Sequence, residues 1–259
     1  MAPRRCRLQS SRKTKDQKDF KDGKAQGQVF FSLLSLKSLQ SLGGRGPFRG
    51  LQNSTTVRIM VVVMGKGAET RERILDQAVR LASRDGLEGL TIGTLSAELG
   101  LSKSGLFAHF GSKDELQLQV LQAAVQRFEI EVIRPALAAP RGEPRIRALF
   151  ERWLAWVTGQ DTPGGCLLIA ASVELDDRPG PQRDFFVQAH RARVAVLARA
   201  ARIAIEAGHF RADLDPEQLA FDFYAITLGY HDSNRLLRDP RAEERARDLF
   251  ERLLASVRA

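Results

Sequence analysis

The 259-residue sequence has few cysteines, few large aromatic residues other than phenylalanine, and no long apolar run. Its two cysteines, Cys6 and Cys166, are too few for a disulfide framework, and their scarcity is typical of a protein from a reducing cytoplasm. The apolar runs near Val29 and Val57 are shorter than the roughly 20 residues that a membrane helix needs. The sequence therefore predicts a cytoplasmic protein with no membrane segment and no export signal.

The motifs of common enzyme classes are also missing. The sequence contains no H-E-x-x-H, no C-x-x-C, no G-x-S-x-G, and no G-x-G-x-x-G after a strand. Histidines stand scattered at positions 109, 190, 209 and 231, and no nucleophile pairs with any of them in sequence. We therefore expect no catalytic site, no metal and no cofactor.

Acidic residues are scarce at one end of the chain only. The formal net charge is +9, yet residues 1–63 carry 13 basic and 3 acidic side chains, a net of +10, which leaves a net of −1 for the remainder. Residues 1–63 are predicted to be a basic, disordered leader or a mis-assigned start, with translation beginning at Met64. A basic DNA-binding arm is the alternative. Any nucleic-acid binding by the rest must depend on local placement of charge.

The segment from Thr91 to Leu116 predicts two short helices joined by a tight turn. Thr91 can cap the first helix, in which Ile92, Leu95 and Leu99 follow helical spacing. Gly100 stands where the chain must leave that helix through a left-handed conformation.

Ser102 can cap the second helix, in which Leu106 and Phe110 point towards the core. The short polar run from Ser102 to Gly105 then suits the start of a recognition helix in the DNA major groove. A glycine at position 105 indicates either a close approach to DNA or close helix packing. Ser112 and Glu115 form a capping box, so a third helix begins near Lys113 with its N-terminal amides available to a phosphate.

Residues 68–116, and above all the run LSKSGLFAHFGSKDEL, resemble the N-terminal domain of the TetR family of transcriptional repressors. The resemblance extends to the preceding helix, Glu69–Ser83, and to the link Asp85-Gly86-Leu87. It implies an all-α fold, with a three-helix helix-turn-helix DNA-binding domain in residues 64–116 and a helical ligand-binding and dimerisation domain in residues 117–259. It also implies a homodimeric repressor that binds a palindromic double-stranded operator and leaves it when a small-molecule effector binds.

Carried over by position, the family pattern places eight residues at the DNA: Thr91, Ser102, Lys103, Ser104, Gly105, Phe107, His109 and Lys113. Lys103 and Ser104 would lie nearest the base edges, and the others would mainly contact the backbone. The family most often has tyrosine where this chain has Phe107, so some loss of affinity is expected. Taken alone, His109 would more often be an ordinary surface or core histidine than a DNA contact.

Helical spacing continues through the rest of the chain. Lys113 to about Ile133 is predicted to be one long helix that ends at Pro135. Asp215-Pro216 and Asp239-Pro240 each predict a capped helix start. The further predicted helices are Arg145–Gly159, Gly165–Leu175, Pro181–Ala207, Pro216–Leu237 and Pro240–Val257.

The last two helices predict a dimer interface, because they carry more apolar residues than a monomer needs. These residues are Leu219, Phe223, Ile226 and Tyr230 in one helix and Leu249, Leu253 and Leu254 in the other. Packing within one subunit explains the same pattern. An effector pocket is predicted among the middle helices, with aromatic walls from Trp153, Trp156, Phe185, Phe186, Phe221 and Tyr224, and ordinary core is again the alternative.

Two further alternatives remain at the level of sequence. A helical sensor or adaptor could act through a protein partner without binding an operator. Cys166 could be a redox-sensing thiol, but its sequence neighbours are apolar, which favours a small buried core residue.

Overall fold

The computed structural model describes residues 65–159 and 163–259, with the backbone alone for residues 65–69. The expectations for residues 1–63 therefore lie outside the described residues. Apart from an isolated bridge between Phe210 and Arg258, the regular structure of the described residues is helical, which confirms the all-α fold class. These helices are α1 (Gly65–Asp85), α2 (Ile92–Leu99), α3 (Lys103–Phe110), α4 (Lys113–Phe128), α5 (Arg134–Leu137), α6 (Glu143–Thr158), α7 (Leu167–Glu174), α8 (Pro181–Glu206), α9 (Pro216–Arg235) and α10 (Ala242–Val257).

Short side chains at the helix ends hold α2, α3 and α4 at the predicted positions. The Thr91 and Thr94 side chains cap each other's backbone N–H groups at the start of α2. Gly100 ends α2 in the left-handed conformation, with φ of 63°, as predicted. Ser102 and Ser112 accept hydrogen bonds from the N–H groups three residues later, which fixes the starts of α3 and α4.

The long helix does not end at Pro135, and the prediction on that point is wrong. After α4 the chain passes through a π-helical turn, Glu129–Ile133, and continues directly into α5. Pro135 lies in the first turn of α5, where a missing backbone N–H costs little. A wider turn just before a proline gives the ring room without ending the helix.

The starts of the last two helices differ in one detail from the sequence pattern. Asp215 caps α9 as predicted, because its side chain accepts hydrogen bonds from the N–H groups of Glu217 and Gln218. Asp239 also accepts a hydrogen bond, from the Arg241 N–H at 2.9 Å, but regular helix begins only at Ala242. The predicted start at Pro240 is therefore two residues early.

Aromatic rings from α6, α9 and α10 form the centre of the body. The Phe150 and Phe250 rings stack with their centroids 4.1 Å apart, and the Phe223 ring meets both edge-on. Trp153 packs in the same way against Tyr230. These contacts join the three helices into one apolar core.

Contacts of α1 and α4 with α7 attach the N-terminal helices to the body. The Gln117 side chain on α4 is buried and donates to the Leu87 carbonyl at 2.7 Å, which fixes the turn between α1 and α2. Gly164 passes so close to Ser83 that a Cβ atom would overlap the Ser83 carbonyl oxygen.

Within the described residues, no helix is long and apolar enough to cross a membrane.

Candidate DNA-binding surface and effector cavity

One face of α3 is anchored in the core and the other is exposed. Leu106 and Phe110 are almost fully buried, and they hold the helix against the rest of the domain. The remaining predicted contact residues of the turn and helix are exposed: Ser102, Lys103, Ser104, Gly105, Phe107 and His109. The structure therefore brings the predicted recognition residues together on one outward surface.

Lys103 lies at the exposed N-terminal end of α3. No carboxylate of the described residues lies within ion-pair distance of its amino group. Its side chain passes near Gly93, beside the Thr91 hydroxyl that caps α2. A cation in this position, together with two helix N-termini, gives a local positive surface for an anionic partner.

Glycine at position 105 has a simple explanation in the structure. A Cβ atom there would meet the Ser102 hydroxyl at 3.1 Å and no other heavy atom within 4 Å. The Gly105 N–H donates to that same hydroxyl. Packing against another helix therefore does not account for the glycine. The alternative, that the missing side chain lets DNA come close to the backbone, is consistent with this open surface.

Lys113 differs from Lys103 in its surroundings. Its Nζ atom lies 2.6 Å from Glu88 Oε1, and the other oxygen of Glu88 lies 2.7 Å from Arg178 Nη1. The carboxylate of Glu88 thus offsets the positive charge that the sequence assigns to Lys113. Thr91 is also engaged, since its hydroxyl caps α2.

Phe107 is the large apolar side chain on this surface. It is 58% exposed to solvent. A polar residue would ordinarily be expected at such an exposed position. His109 is exposed as well, and its ring is tilted 6.2 Å from the Phe110 ring. Phe107 and His109 therefore share the exposed side of α3 with Lys103.

A second site is the cavity in the body between α4, α6, α7, α8 and α9. It holds about 560 Å³ of space between protein atoms, part of it open to solvent. Most of its wall is apolar, and the polar groups in it are Cys166, His190, Arg193, Tyr224 and Thr227. The apolar lining residues are Phe128, Val132, Ile133, Leu149, Trp153, Ile169, Val194, Leu197 and Phe223.

Five of the six aromatic residues predicted for this pocket divide into three groups. Trp153 and Tyr224 line the cavity. Trp156 and Phe186 lie behind the wall, where Trp156 meets the Phe128 ring edge-on and Phe186 lies 6.0 Å from the Arg193 guanidinium carbon. Phe185 packs half-buried against the core and is not a lining residue.

The prediction that Phe221 lines the pocket is wrong. It is 66% exposed on α9, on the side away from the core. Two residues later, Phe223 turns inward and lines the cavity. The two phenylalanines differ by about 200° around the helix, and the inward direction belongs to Phe223.

Cys166 is buried in the cavity wall at the start of α7. Burial raises the pKa of its thiol, and the nearby Arg193 charge opposes this only in part. A raised pKa keeps the thiol protonated at neutral pH, which disfavours thiolate chemistry.

The sequence model described as "Bacterial regulatory proteins, tetR family" matches residues 74–120, and the one described as "Tetracyclin repressor-like, C-terminal domain" matches residues 142–250. The chain belongs to the TetR family of transcriptional regulators. The first match covers the helix-turn-helix, and the second covers the helices around the cavity. A TetR-family chain is a regulator and not an enzyme, and its membership disfavours the adaptor alternative.

Curated relatives share modest identity with this TetR-family chain. The nicotine-responsive transcriptional repressor HdnoR of Paenarthrobacter nicotinovorans is 29% identical over 84 residues, which is 32% of this chain and 41% of HdnoR. The transcriptional repressor NemR of Escherichia coli K12 is 25% identical over 164 residues, 62% of this chain and 81% of NemR. A TetR-family regulator from Chloroflexus aurantiacus shares the fold, with a TM-score of 0.65, 24% identity, and coverage of 73% of this chain and 94% of that one.

Sequence reasoning missed the two most polar residues of the cavity, His190 and Arg193. The signal was present: Phe186, His190, Arg193 and Leu197 follow helical spacing along one face of α8. An arginine on an otherwise apolar helical face is the feature that deserved notice.

Proposed function

We propose that this TetR-family protein is a homodimeric repressor that binds a palindromic operator through α3 and leaves it when a small molecule occupies the body cavity. One observation supports the proposal above all. The exposed face of α3 carries Lys103 and Phe107, while Leu106 and Phe110 on its other face fix the helix rigidly in the core. A rigid helix with a polar, cationic start fits the geometry of major-groove recognition.

The roles within the DNA-binding surface follow from the surroundings of each residue. Lys103 and Ser104 stand at the N-terminal end of α3, where base edges would be in reach. Thr91, Ser102 and Lys113 lie at helix starts and would fix the register on phosphates. Phe107 and His109 would contact sugars or the phosphate backbone. The DNA-binding domain would comprise residues 64–116, and the effector and dimerisation domain residues 117–259.

The proposed dimer forms through α9 and α10, but not through the buried residues that the sequence favoured. Leu219, Phe223, Ile226 and Tyr230 are buried within one subunit. The opposite face of α9 carries an exposed stripe of apolar and small residues, namely Phe221, Ala225, Leu228 and Gly229, and Leu249 is exposed on α10. A second copy of the chain would bury this surface, and the small residues would let the helices pack closely.

Helix α7 connects the cavity to the DNA-binding helices. It begins beside Cys166 and contains Ile169, both of which line the cavity. It ends at Glu174, whose carboxylate accepts hydrogen bonds from the Leu87 and Glu88 N–H groups at 3.0 Å and 2.8 Å. A molecule that moved α7 would therefore move the turn in front of α2. Release from the operator is then a shift between two arrangements of the heads, set by the effector's preference for one of them.

We propose repression rather than activation, since a bound dimer can block a promoter without a further contact surface. Both curated relatives are named transcriptional repressors, and HdnoR is named as nicotine-responsive. A regulator of this kind acts on DNA, so we place it in the cytoplasm.

A reporter experiment tests the proposal. An operator recovered by selection from random duplexes is placed between a promoter and a reporter gene, and the full chain is expressed from a second promoter. We expect lower reporter output that depends on the operator, and a complex of two chains per operator by sedimentation. Reporter output that rises with the protein would exclude repression, and one chain per operator would exclude the dimer.

A further inference from the structure

The cavity contains a positive charge without a carboxylate partner in the part of the chain that the structure describes. Arg193 projects from α8 into the apolar wall, where its guanidinium carbon lies 5.4 Å from the Phe128 ring centroid and 6.0 Å from that of Phe186. Among the described residues, no aspartate or glutamate lies within 4.0 Å of its nitrogens, although many other arginines of the body have such a partner. Contact with aromatic faces stabilises a cation only in part.

The hydrogen bond that Arg193 makes does not supply the missing negative charge. Its Nη2 atom lies 2.6 Å from His190 Nδ1. Because a guanidinium has donors only, Nδ1 must accept, so the imidazole is neutral and carries its proton on Nε2. Burial, assisted by the Arg193 charge, lowers the pKa of His190 to about 4, which keeps the ring neutral at physiological pH.

Arg193 does not become neutral by losing its proton. Burial lowers the pKa of its guanidinium, but arginine stays protonated in proteins because its ordinary pKa is so high. Among the described residues, His190 is the hydrogen-bond acceptor for this group, so the other N–H donors of Arg193 have no protein acceptor there. A half-buried cation in an apolar wall is costly unless an anion pairs with it.

We propose that the effector is a small amphipathic monocarboxylate, with its carboxylate bound by Arg193 and its apolar body against Leu149, Trp153 and Val132. The proposal rests on the proposed function, in that the cavity is the effector site. The planar fork of a guanidinium matches a carboxylate in a two-bond arrangement. His190 and Tyr224 line the same cavity, and each has a polar hydrogen that could be donated as well. A single cation in an apolar wall favours a single negative charge, because a second one would be left unpaired.

Binding of a matched series of eight-carbon ligands to the full chain tests this, with no DNA present. Octanoate, 1-octanol and octylamine have the same apolar body and differ in head-group charge. A change in the intrinsic fluorescence of the two tryptophans, Trp153 and Trp156, follows their binding, with calorimetry as the second measurement. We expect octanoate to bind about tenfold or more tightly than 1-octanol, and octylamine to bind most weakly.

Variants assign the preference to Arg193. Arg193→Met should abolish the preference for octanoate over 1-octanol, and Arg193→Lys should retain part of it. Arg199→Met removes an exposed charge of the same helix and should behave as the unaltered protein. Equal binding of octanoate and 1-octanol by the unaltered protein, no octanoate binding up to its solubility limit, or a preference that survives in Arg193→Met would each overturn the proposal.

The DNA experiment is separate, so the two proposals fail separately. Octanoate selectivity without any operator binding would contradict the proposed function and leave the carboxylate site standing. Operator binding and repression without octanoate selectivity would contradict the carboxylate site alone.

Discussion

Glu174 Oε1 accepts a hydrogen bond from the backbone N–H of Leu87 at 3.0 Å, which ties the last residue of α7 to the turn between α1 and α2. The other oxygen accepts from the next N–H in the chain, so one carboxylate holds two consecutive peptide groups. Because α7 starts in the cavity wall, this contact lies on the route that we propose from the cavity to the DNA-binding helices.

Replacing this carboxylate should loosen the turn locally. In Glu174→Ala the two N–H groups lose their acceptor, and we expect amide hydrogen exchange in residues 84–92 to accelerate about tenfold. The unfolding free energy should fall by about 1 kcal/mol. Glu206→Ala, at an exposed position that ends α8, is the matched control and should change neither measurement. Unchanged exchange in Glu174→Ala would show that the turn is held without this contact.

The two lysines of the DNA-binding surface should differ in importance. Lys103→Ala removes a cation with no carboxylate partner among the described residues, and we expect operator affinity to fall by about tenfold to a hundredfold. Lys113→Ala should cost less, because Glu88 already pairs with that lysine. Fluorescence anisotropy with a labelled operator gives both values, with the exposed Arg191→Ala as control. An equal or larger loss for Lys113→Ala would reverse these roles.

Adding a hydroxyl at position 107 should strengthen DNA binding. The Phe107 side chain is exposed, so Phe107→Tyr adds a polar group without disturbing the core. One hydrogen bond to a phosphate is worth about 1 kcal/mol, which predicts an operator affinity about fivefold higher. The melting temperature should stay the same. Weaker binding by Phe107→Tyr would mean that the ring is enclosed by an apolar contact.

A charge in the exposed stripe of α9 should separate the dimer. Phe221→Asp places a carboxylate in the proposed interface, where burial without a partner is unfavourable. We expect a monomer by sedimentation at micromolar concentration, and an operator affinity that is correspondingly reduced. Leu236→Asp, at another highly exposed leucine just after α9, is the matched control and should remain dimeric. A dimeric Phe221→Asp protein would show that the subunits meet elsewhere.

Low pH should reduce the stability of the folded protein by protonating Glu143. Hydrogen bonds from Arg258, opposed by burial but joined by those from Arg147, lower the pKa of this carboxyl to about 2, against 4.5 when unpaired. A lowered pKa stabilises the folded state above about pH 4.5, and that contribution is lost as the pH falls from 4.5 towards 2. Glu143 itself is 16% exposed, but Arg147 and Arg258 are 35% and 46% exposed, so solvent screening reduces the contribution to about 1 kcal/mol.

Denaturant unfolding at pH 7 and pH 3 measures this contribution. Glu143→Gln should be less stable than the unaltered protein at pH 7, and the difference should shrink at pH 3. Glu244→Gln, which removes an exposed pair with Arg241, is the control and should have little effect at either pH. A difference that is the same at both pH values would show that the carboxylate charge is not what matters.

Local signals predicted the DNA-binding helices well. Caps at Thr91, Ser102 and Ser112 and the left-handed Gly100 act within a few residues, so their effect is visible in the sequence. The prediction that the long helix ends at Pro135 is wrong because a π-helical turn lets the helix continue. No residue pattern in the sequence predicts such a turn.

Longer-range features were harder to predict. Helix α9 carries apolar residues on both of its faces, so spacing could not decide whether Phe221 or Phe223 turns inward. Aromatic residue types predict a cavity, but residue type does not assign Arg193 to its wall, because arginine side chains are mostly exposed in folded proteins.

Selection of duplexes from a random-sequence library with the full chain, at physiological salt, tests the central claim most directly. We predict enrichment of one palindromic sequence, which the unaltered protein binds at least about a thousandfold more tightly than a scrambled duplex, with that preference reduced in Lys103→Ala. Recovery of no preferred sequence, or of one that Lys103→Ala binds equally well, would contradict the assignment of α3 as the helix that reads DNA.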